Sequence, residues 1–102
     1  MASTPGPWRV GRRGGCVVAD TPIENGIGGS DDVEYYGGHL IAESITPANA
    51  EFIALAPEMR DRLADLIGAA AAYTNAPSRG NEKRLNAAVR SATETLGKAL
   101  LV

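Results

Sequence analysis

Apolar residues in the second half of the chain recur at alternating steps of four and three residues. This spacing places them on one stripe of a helix and predicts two helices joined by a turn at residues 75–81. Two such helices with a short connection form an antiparallel helical hairpin. The first stripe is Phe52, Ala56, Met59, Leu63, Leu66, Ala70 and Tyr73, and the second is Leu85, Val89, Ala92, Leu96 and Ala99.

Proline residues set the expected helix boundaries. Thr46 can cap a helix, and Pro47 suits the first helical position, where its missing N–H is not needed. Pro57 interrupts the first stripe, because a proline inside a helix costs about 3 kcal/mol. The sequence therefore predicts one short helix to about Leu55 and a second from Pro57 to about Thr74.

The first half of the chain combines short runs of strand-forming residues with most of the twelve glycines. Trp8–Val10 and Cys16–Ala19 are predicted strands of a hairpin, since the glycines of "GRRGG" suit its loop. Residues 39–44 form a third expected strand. The acidic, glycine-punctuated stretch at residues 20–38 is predicted as a long loop that includes a short strand at Val33–Tyr36 as one alternative.

These patterns predict an α+β fold, with a small N-terminal antiparallel β-sheet followed by a C-terminal antiparallel helical hairpin. The 102 residues are expected to form a single domain, 1–102, with a β region at 1–45 and a helical region at 46–102. A chain of this length buries a limited core. We therefore expect a homo-oligomer in which Leu63, Leu66, Val89 and Leu96 are buried.

Composition narrows the function classes. The formal net charge of −2 argues against a general nucleic-acid binder, which usually carries a basic excess. No apolar run reaches the length of a membrane span, and the first residues lack the pattern of a signal peptide. The single cysteine, Cys16, cannot form an internal disulfide. Together these features predict a cytoplasmic protein without a membrane association.

Groups suited to catalysis or metal binding are few, so we expect no catalytic residues, no metal and no cofactor. His39 is predicted as a partly exposed strand residue, and Cys16 as a buried, inert thiol. A cysteine nucleophile would need His39 to approach it. The acidic cluster lacks the spacing of an EF-hand loop; it consists of Asp31, Asp32 and Glu34. A solvated loop and a weak cation site both stay open for it.

Three arginines lie close to the only tryptophan. Trp8 can complete a core or oligomer contact, or it can stack on a ligand. Arg9, Arg12 and Arg13 surround the expected hairpin loop, and guanidinium groups suit bidentate phosphate binding. A solvated turn is the alternative for this loop. Tyr35 and Tyr36 would point to opposite faces of a strand, so one of them would be available to a ligand.

The stretches "TPGPWRV" at residues 4–10, "VVAD" at 17–20 and "NAEFIALAPEM" at 49–59 resemble small phage and prophage proteins, some of them described as ead-like. The resemblance covers roughly residues 4–67. The chain has a looser similarity to phage sponge proteins that counter Thoeris defence. That similarity implies an N-terminal β region, C-terminal helices and oligomeric assembly. It also implies sequestration, without cleavage, of nucleotide immune signals such as cyclised ADP-ribose derivatives, with Trp8 and Arg90 in the pocket.

Three functional hypotheses follow. The first is a phage-encoded, non-enzymatic protein that sequesters a small nucleotide immune signal in a pocket at an oligomer interface, in the cytoplasm of a bacterial host. The second is an anti-CRISPR-like protein inhibitor of a host defence factor that acts through its surface. The third is an enzyme on nucleotide substrates, ranked last for want of catalytic groups. The expected ligand-binding residues are Trp8, Arg9, Arg12, Arg13, Tyr36 and Arg90.

Overall fold

The fold combines a three-stranded sheet with four helices in the part of the chain that a computed structural model describes, residues 3–23 and 30–102. The residues divide into two compact units, the first ending at Pro57 and the second spanning Glu58–Leu101. The α+β prediction is confirmed. The elements are β1 (Trp8–Val10), β2 (Val17–Ala19), α1 (Ser30–Tyr36), β3 (His39–Ala42), α2 (Pro47–Ala54), α3 (Ala56–Asn75) and α4 (Arg79–Leu100).

The sheet has the order β1-β2-β3, and both strand pairs are antiparallel. Trp8 lies opposite Ala19 in the first pair, and Ala19 lies opposite His39 in the second. The hairpin prediction is therefore confirmed. The third strand ends at Ala42 rather than at residue 44, where Ser44 adopts a left-handed conformation with φ 62° that a strand does not accommodate.

The core of the first unit is built around β2. The four consecutive residues Cys16–Ala19 are all buried, as expected for a central strand that is covered on both faces. Helix α2 packs against β1 and β2, and its Ala50 is fully buried. The Cys16 thiol is free and buried, which confirms the predicted burial of this residue.

Residues 30–36 form helix α1, so the prediction of a loop there and the alternative of a strand at Val33–Tyr36 are both wrong. Acidic residues early in the segment favour a helix start, and a glycine after it favours a helix end. Gly37 has φ 81°, and the N–H groups of Gly37 and Gly38 both donate to the Val33 carbonyl at 2.9 Å. The middle of the predicted loop, residues 24–29, lies outside the described residues.

The N-terminal stretch positions the first strand. The backbone of Gly6 lies so close to the buried Pro57 that a Cβ on Gly6 would be 2.7 Å from the Pro57 Cβ. The Gly6–Pro7 peptide bond is cis. Two residues later, the Trp8 indole N–H donates to the Thr4 carbonyl at 3.2 Å. Glycine is thus required where the entering chain crosses the start of α3.

The second unit is the predicted antiparallel helical hairpin of α3 and α4. Ser78 caps α4 by accepting from the Asn81 N–H at 3.1 Å. The Asn81 amide in turn donates to the carbonyls of Ala72 and Ala76 at 3.3 and 2.8 Å. The Ala72 carbonyl also accepts from the Ala76 N–H at 2.9 Å, so the Asn81 side chain adds a second donor there and ties the start of α4 to the end of α3.

The buried residues of this hairpin are small, and one of them, Ala99, belongs to the second stripe. Ala69, Thr95 and Ala99 are buried, whereas Leu63 and Leu96 remain 58% and 57% exposed. The stripes are thus covered in part: Leu66 and Leu85 are half-buried, while other members stay exposed.

No helix among the described residues is long and apolar enough to cross a membrane.

An ion pair links the start of α3 to the end of α4. The Lys98 ammonium donates to both carboxylate oxygens of Glu58, at 3.1 and 3.2 Å. The hydrogen bond from Lys98 lowers the pKa of Glu58, and a hydrogen bond from Thr95 lowers it further. The charged form of Glu58 is thus favoured by folding.

Lys98→Met is expected to reduce the free energy of unfolding by about 0.5 kcal/mol at neutral pH, because the pair is partly exposed. The folded pKa of Glu58 lies below its ordinary value of 4.5. The contribution is therefore present above pH 4.5 and is lost as the pH falls through the folded pKa. Urea denaturation of both proteins across this range measures the difference. A difference that grows with falling pH would contradict the assignment, and Lys83→Met on the same helix serves as the control.

Candidate anion-binding site

The loop between β1 and β2 presents two arginines to solvent. The Gly11 N–H donates to the Cys16 carbonyl at 3.0 Å, which closes the loop at its base. Gly14 follows with φ 64°, a conformation that glycine adopts without strain. Arg12 and Arg13 occupy the exposed part of the loop between these points. The sequence "GRRGG" therefore forms a closed turn that holds both guanidinium groups on the surface.

Backbone contacts fasten this loop to the end of α1. The Arg12 N–H donates to the Tyr36 carbonyl at 2.8 Å. A Cβ on Gly11 would lie 2.5 Å from the same carbonyl oxygen, and a Cβ on Gly37 would lie 3.2 Å from the Arg12 Cβ. Only glycine permits such an approach of two backbones. The position of the loop arginines relative to α1 is thus set by the main chain.

The fastening brings Arg13 onto an aromatic ring. The guanidinium carbon of Arg13 lies 4.1 Å from the centroid of the Tyr35 ring, which is a cation–π contact. Tyr35 is 51% exposed. Its ring meets the Tyr36 ring edge to face, with the centroids 4.8 Å apart and an interplanar angle of 82°. The exposed tyrosine next to the loop is therefore Tyr35, whereas the sequence prediction had selected Tyr36.

Arg12, Arg13, Glu34 and Tyr35 line a surface depression of about 290 Å³. This volume lies at the lower limit of small-molecule pockets. Among the described residues, neither arginine forms an ion pair with a carboxylate. The depression therefore offers two guanidinium groups to an anion, a ring face for a planar group and one carboxylate for a hydroxyl or amino donor.

Tyr36 has a structural partner. Its hydroxyl donates to a carboxylate oxygen of Glu43 at 2.8 Å. This hydrogen bond to Glu43 raises the pKa of Tyr36 above its ordinary value of 10.0. The phenol thus stays protonated at neutral pH and joins the end of α1 to the residue after β3. Tyr36 thus lies beside the depression, but its hydroxyl is hydrogen-bonded to Glu43.

Arg9 and Trp8 also make contacts within the first unit. The Arg9 guanidinium donates to the Asp20 carboxylate at 2.7 Å and to the Gly37 carbonyl at 2.8 Å. Trp8 is half-buried, and its indole N–H donates to the Thr4 carbonyl. Neither residue is among those that line the depression. Of the predicted binding residues, Arg12 and Arg13 thus lie together at the depression. Arg9, in contrast, is paired with Asp20.

Arg90 is exposed on α4, in the second unit. Its assignment to a common pocket with Trp8 stays a prediction. No group of three metal-ligating side chains occurs among the described residues. For the predicted acidic cluster, Asp32 and Glu34 lie on α1, whereas the side chain of Asp31 falls outside the described set.

One of three comparisons with known proteins gives a match, and it covers nearly the whole chain. A family model described as Salmonella phage P22 protein Y8K6 matches residues 1–101. No curated protein and no solved structure matches the chain. The expectation of a phage protein is confirmed at this level, while the similarity to sponge proteins stays a prediction. Because the match covers all but the last residue, the chain belongs to the family of Salmonella phage P22 protein Y8K6.

Proposed function

We propose that this phage protein is a non-enzymatic binding protein that sequesters a small nucleotide signal and thereby counteracts a host defence. The depression at the loop between β1 and β2 is the proposed ligand site. The observation that supports this proposal most directly is the pairing of Arg13 with the half-exposed Tyr35 ring beside Arg12. A cation over a ring and a second cation next to it suit a ligand that has both a planar base and a phosphate.

The two arginines would hold the phosphate. Arg12 and Arg13 follow each other on an exposed turn whose backbone is fixed by Gly11 and by the Tyr36 carbonyl. A guanidinium group forms two parallel hydrogen bonds with phosphate oxygens, and this geometry is stronger than a neutral pair. A preorganised loop also loses little conformational freedom on binding. The loop is thus suited to an anion without further rearrangement.

Glu34 favours a nucleotide over free phosphate. A carboxylate in the lining repels a bare anion, yet it accepts hydrogen bonds from the hydroxyls of a ribose. Carboxylates bind ribose hydroxyls in this way in dinucleotide-binding folds. With Tyr35 or Arg13 available to a base, the lining residues match the three parts of a nucleotide. Phosphate would contact the arginines, ribose would contact Glu34, and the base would stack on the Tyr35–Arg13 pair.

Sequestration requires binding alone and no chemical step. The depression is open to solvent at Tyr35, which is half exposed. A second subunit that covers its open side would complete the pocket at an oligomer interface that the similarity to sponge proteins implies. A phage gains from such a protein because a signal held in complex no longer reaches its receptor.

A direct test begins with the purified full chain and a pool of cyclic nucleotides, including cyclised ADP-ribose. After gel filtration, the protein fraction is denatured and its small molecules are identified by mass spectrometry. The proposal predicts a nucleotide that is retained and recovered with unchanged mass. Recovery of a converted product would favour the enzyme hypothesis instead. A protein that retains none of the nucleotides would overturn the proposal and favour the inhibitor of a host defence protein.

Substitutions in the lining should weaken binding of the retained nucleotide. Tyr35→Ala is expected to lose about 1–3 kcal/mol of binding free energy, the range for base–aromatic stacking. Arg12→Ala should weaken binding in a manner that declines at high salt, because exposed charge contacts are screened. Calorimetric titration measures both variants, with thermal melting to confirm their folding.

Two controls accompany these variants. Tyr36→Phe keeps the ring but removes the hydroxyl that donates to Glu43, and it is expected to bind like the parent. Lys83→Ala removes a cation from α4 and is likewise expected to have no effect. If Tyr36→Phe and Tyr35→Ala lose equal affinity, the depression is not the ligand site.

A further inference from the structure

We propose that one face of the α3–α4 hairpin binds the same face of a second copy of this chain, so that the two hairpins form a four-helix bundle. This inference concerns the second unit and does not rest on the proposed ligand site. We define the apolar face by five residues: Leu63 and Leu66 on α3, and Val89, Leu96 and Leu100 on α4.

Helix periodicity puts these side chains on one side of each helix. On α4, the buried Thr95 and Ala99 mark the line of contact with α3. Leu96 and Leu100 are each one residue, or about 100°, further round the helix than these contact positions. On α3, Leu63 and Leu66 are displaced in the same rotational sense from the buried Ala69. In two antiparallel helices, equal rotational displacements from the contact line point to the same face of the pair.

Polar contacts identify the opposite face. Asp65 on α3 and Arg84 and Ser91 on α4 line one groove together with three alanines. The Glu58–Lys98 ion pair is displaced from the contact line towards this same side. Since both helices present their polar side chains to the groove, their leucines share the other face. These polar contacts thus lie on one side of the hairpin, and the leucines lie on the other.

Four of the five residues of the apolar face are left exposed by the described residues. Exposure is 58% for Leu63, 57% for Leu96, 76% for Leu100 and 45% for Val89. Apolar patches of this kind are uncommon on soluble monomers and usually mark an interaction surface. The charged residues of the two described ion pairs within this unit, Glu58–Lys98 and Arg62–Asp65, lie outside the apolar face.

The size of the face suits a second hairpin. Helices α3 and α4 contain 20 and 22 residues. At 1.5 Å per residue and with axes about 8–10 Å apart, the pair presents a face of roughly 30 by 20 Å, or about 600 Å². A standard-size interface takes about 800 Å² from each partner, measured over the rougher accessible surface. The face therefore provides about the area that a stable dimer needs.

The pattern of the face favours a helical partner. Leu63 and Leu66, and likewise Val89 and Leu96, belong to stripes with alternating steps of four and three residues. This period of 3.5 keeps a stripe in register with a neighbouring helix that crosses at a small angle. Within the hairpin, Leu63, Val89 and Leu96 of these stripes stay exposed. A second copy supplies two helices of matching length, period and polarity, as in a four-helix bundle.

The test uses the full chain and light scattering coupled to gel filtration. The parent is expected to have twice the chain mass of 10.6 kDa. Leu63→Glu/Leu96→Glu places two charges on the apolar face and is expected to give the chain mass with unchanged helical circular dichroism. Ala64→Glu/Ala87→Glu is the matched control, because it adds the same charges at exposed positions outside the apolar face and should leave the dimer intact.

A milder variant protects the test against a loss of folding. Leu96→Ala shortens one side chain without adding charge, and it is expected to raise the dimer dissociation constant about tenfold by sedimentation equilibrium. A parent that has the chain mass, or any mass other than twice that value, overturns the proposal. So does a dimer that persists in Leu63→Glu/Leu96→Glu, or one that the matched control loses to the same extent.

Discussion

Gly11→Ala is expected to lower the free energy of unfolding by about 1–3 kcal/mol, the cost of overpacking a filled site. A Cβ at this position would lie 2.5 Å from the Tyr36 carbonyl oxygen, 2.6 Å from the Cys16 sulfur and 3.0 Å from a Val18 methyl group. The first neighbour is backbone and cannot rotate away. The loop must therefore move off the end of α1, which also separates the arginines from Tyr35. Urea denaturation followed by circular dichroism measures the loss of stability.

Gly97→Ala is the matched control for this substitution. Gly97 lies inside α4, and a Cβ there would meet no described atom within 4 Å beyond the neighbouring backbone of its own helix. Alanine is the better helix former by about 0.5–1 kcal/mol, so this variant should be more stable than the parent. The same chemical change is thus expected to have opposite effects at the two positions. A Gly11→Ala protein as stable as the parent would show that the loop is not pressed against α1.

The order of strands and helices was predictable because each element carries its own local signal. The Thr46–Pro47 helix start, the interruption at Pro57 and the glycines of the first hairpin act within a few residues. Helices α2 and α3 accordingly begin at Pro47 and Ala56. Such signals depend on backbone geometry and on missing N–H groups, which the rest of the fold does not alter.

The segment that forms helix α1 also contains local helix signals, but its strand-forming residues favoured a different prediction. Val33, Tyr35 and Tyr36 favour a strand by propensity. The acidic residues before them and Gly37 after them favour a helix with a glycine end, and this combination determines the structure. The error changed the expected site, because a strand would have directed Tyr35 and Tyr36 to opposite faces. In the helix both rings lie together and Tyr35 receives Arg13.

The contact between α3 and α4 shows a different limit of sequence reasoning. The leucine stripes gave the correct helices and the correct hairpin, but the helices meet through Ala69, Thr95 and Ala99. Hydrophobic periodicity identifies an apolar face without saying which neighbour covers it. Small residues next to leucines permit two contacts, one within the hairpin and one with another hairpin. Which of the two contacts a residue makes depends on close packing in three dimensions. Residue spacing carries no information about that packing.

Val18→Ala is expected to destabilise the first unit by about 2 kcal/mol, because it removes two buried carbons and leaves a cavity. Val18 is fully buried on the central strand. A Cβ on Gly11 would lie 3.0 Å from one of its methyl groups, and a Cβ on Gly38 would lie 2.9 Å from the other. The valine thus fills the space under the base of the arginine loop and under the end of α1. Thermal or urea unfolding of the single variant provides the first measurement.

Two double-mutant cycles then distinguish side-chain contacts from backbone contacts around Val18. The nearest neighbour of a new Cβ at Gly38 is a Val18 methyl group, so Val18→Ala relieves part of the cost of Gly38→Ala. We expect the double variant to be about 1 kcal/mol more stable than the sum of the single effects. At Gly11 the nearest neighbour is the Tyr36 carbonyl oxygen, which Val18→Ala leaves in place. That second cycle should be additive within about 0.5 kcal/mol. Equal coupling in both cycles would mean that Val18, rather than the backbone of α1, limits how closely the loop approaches.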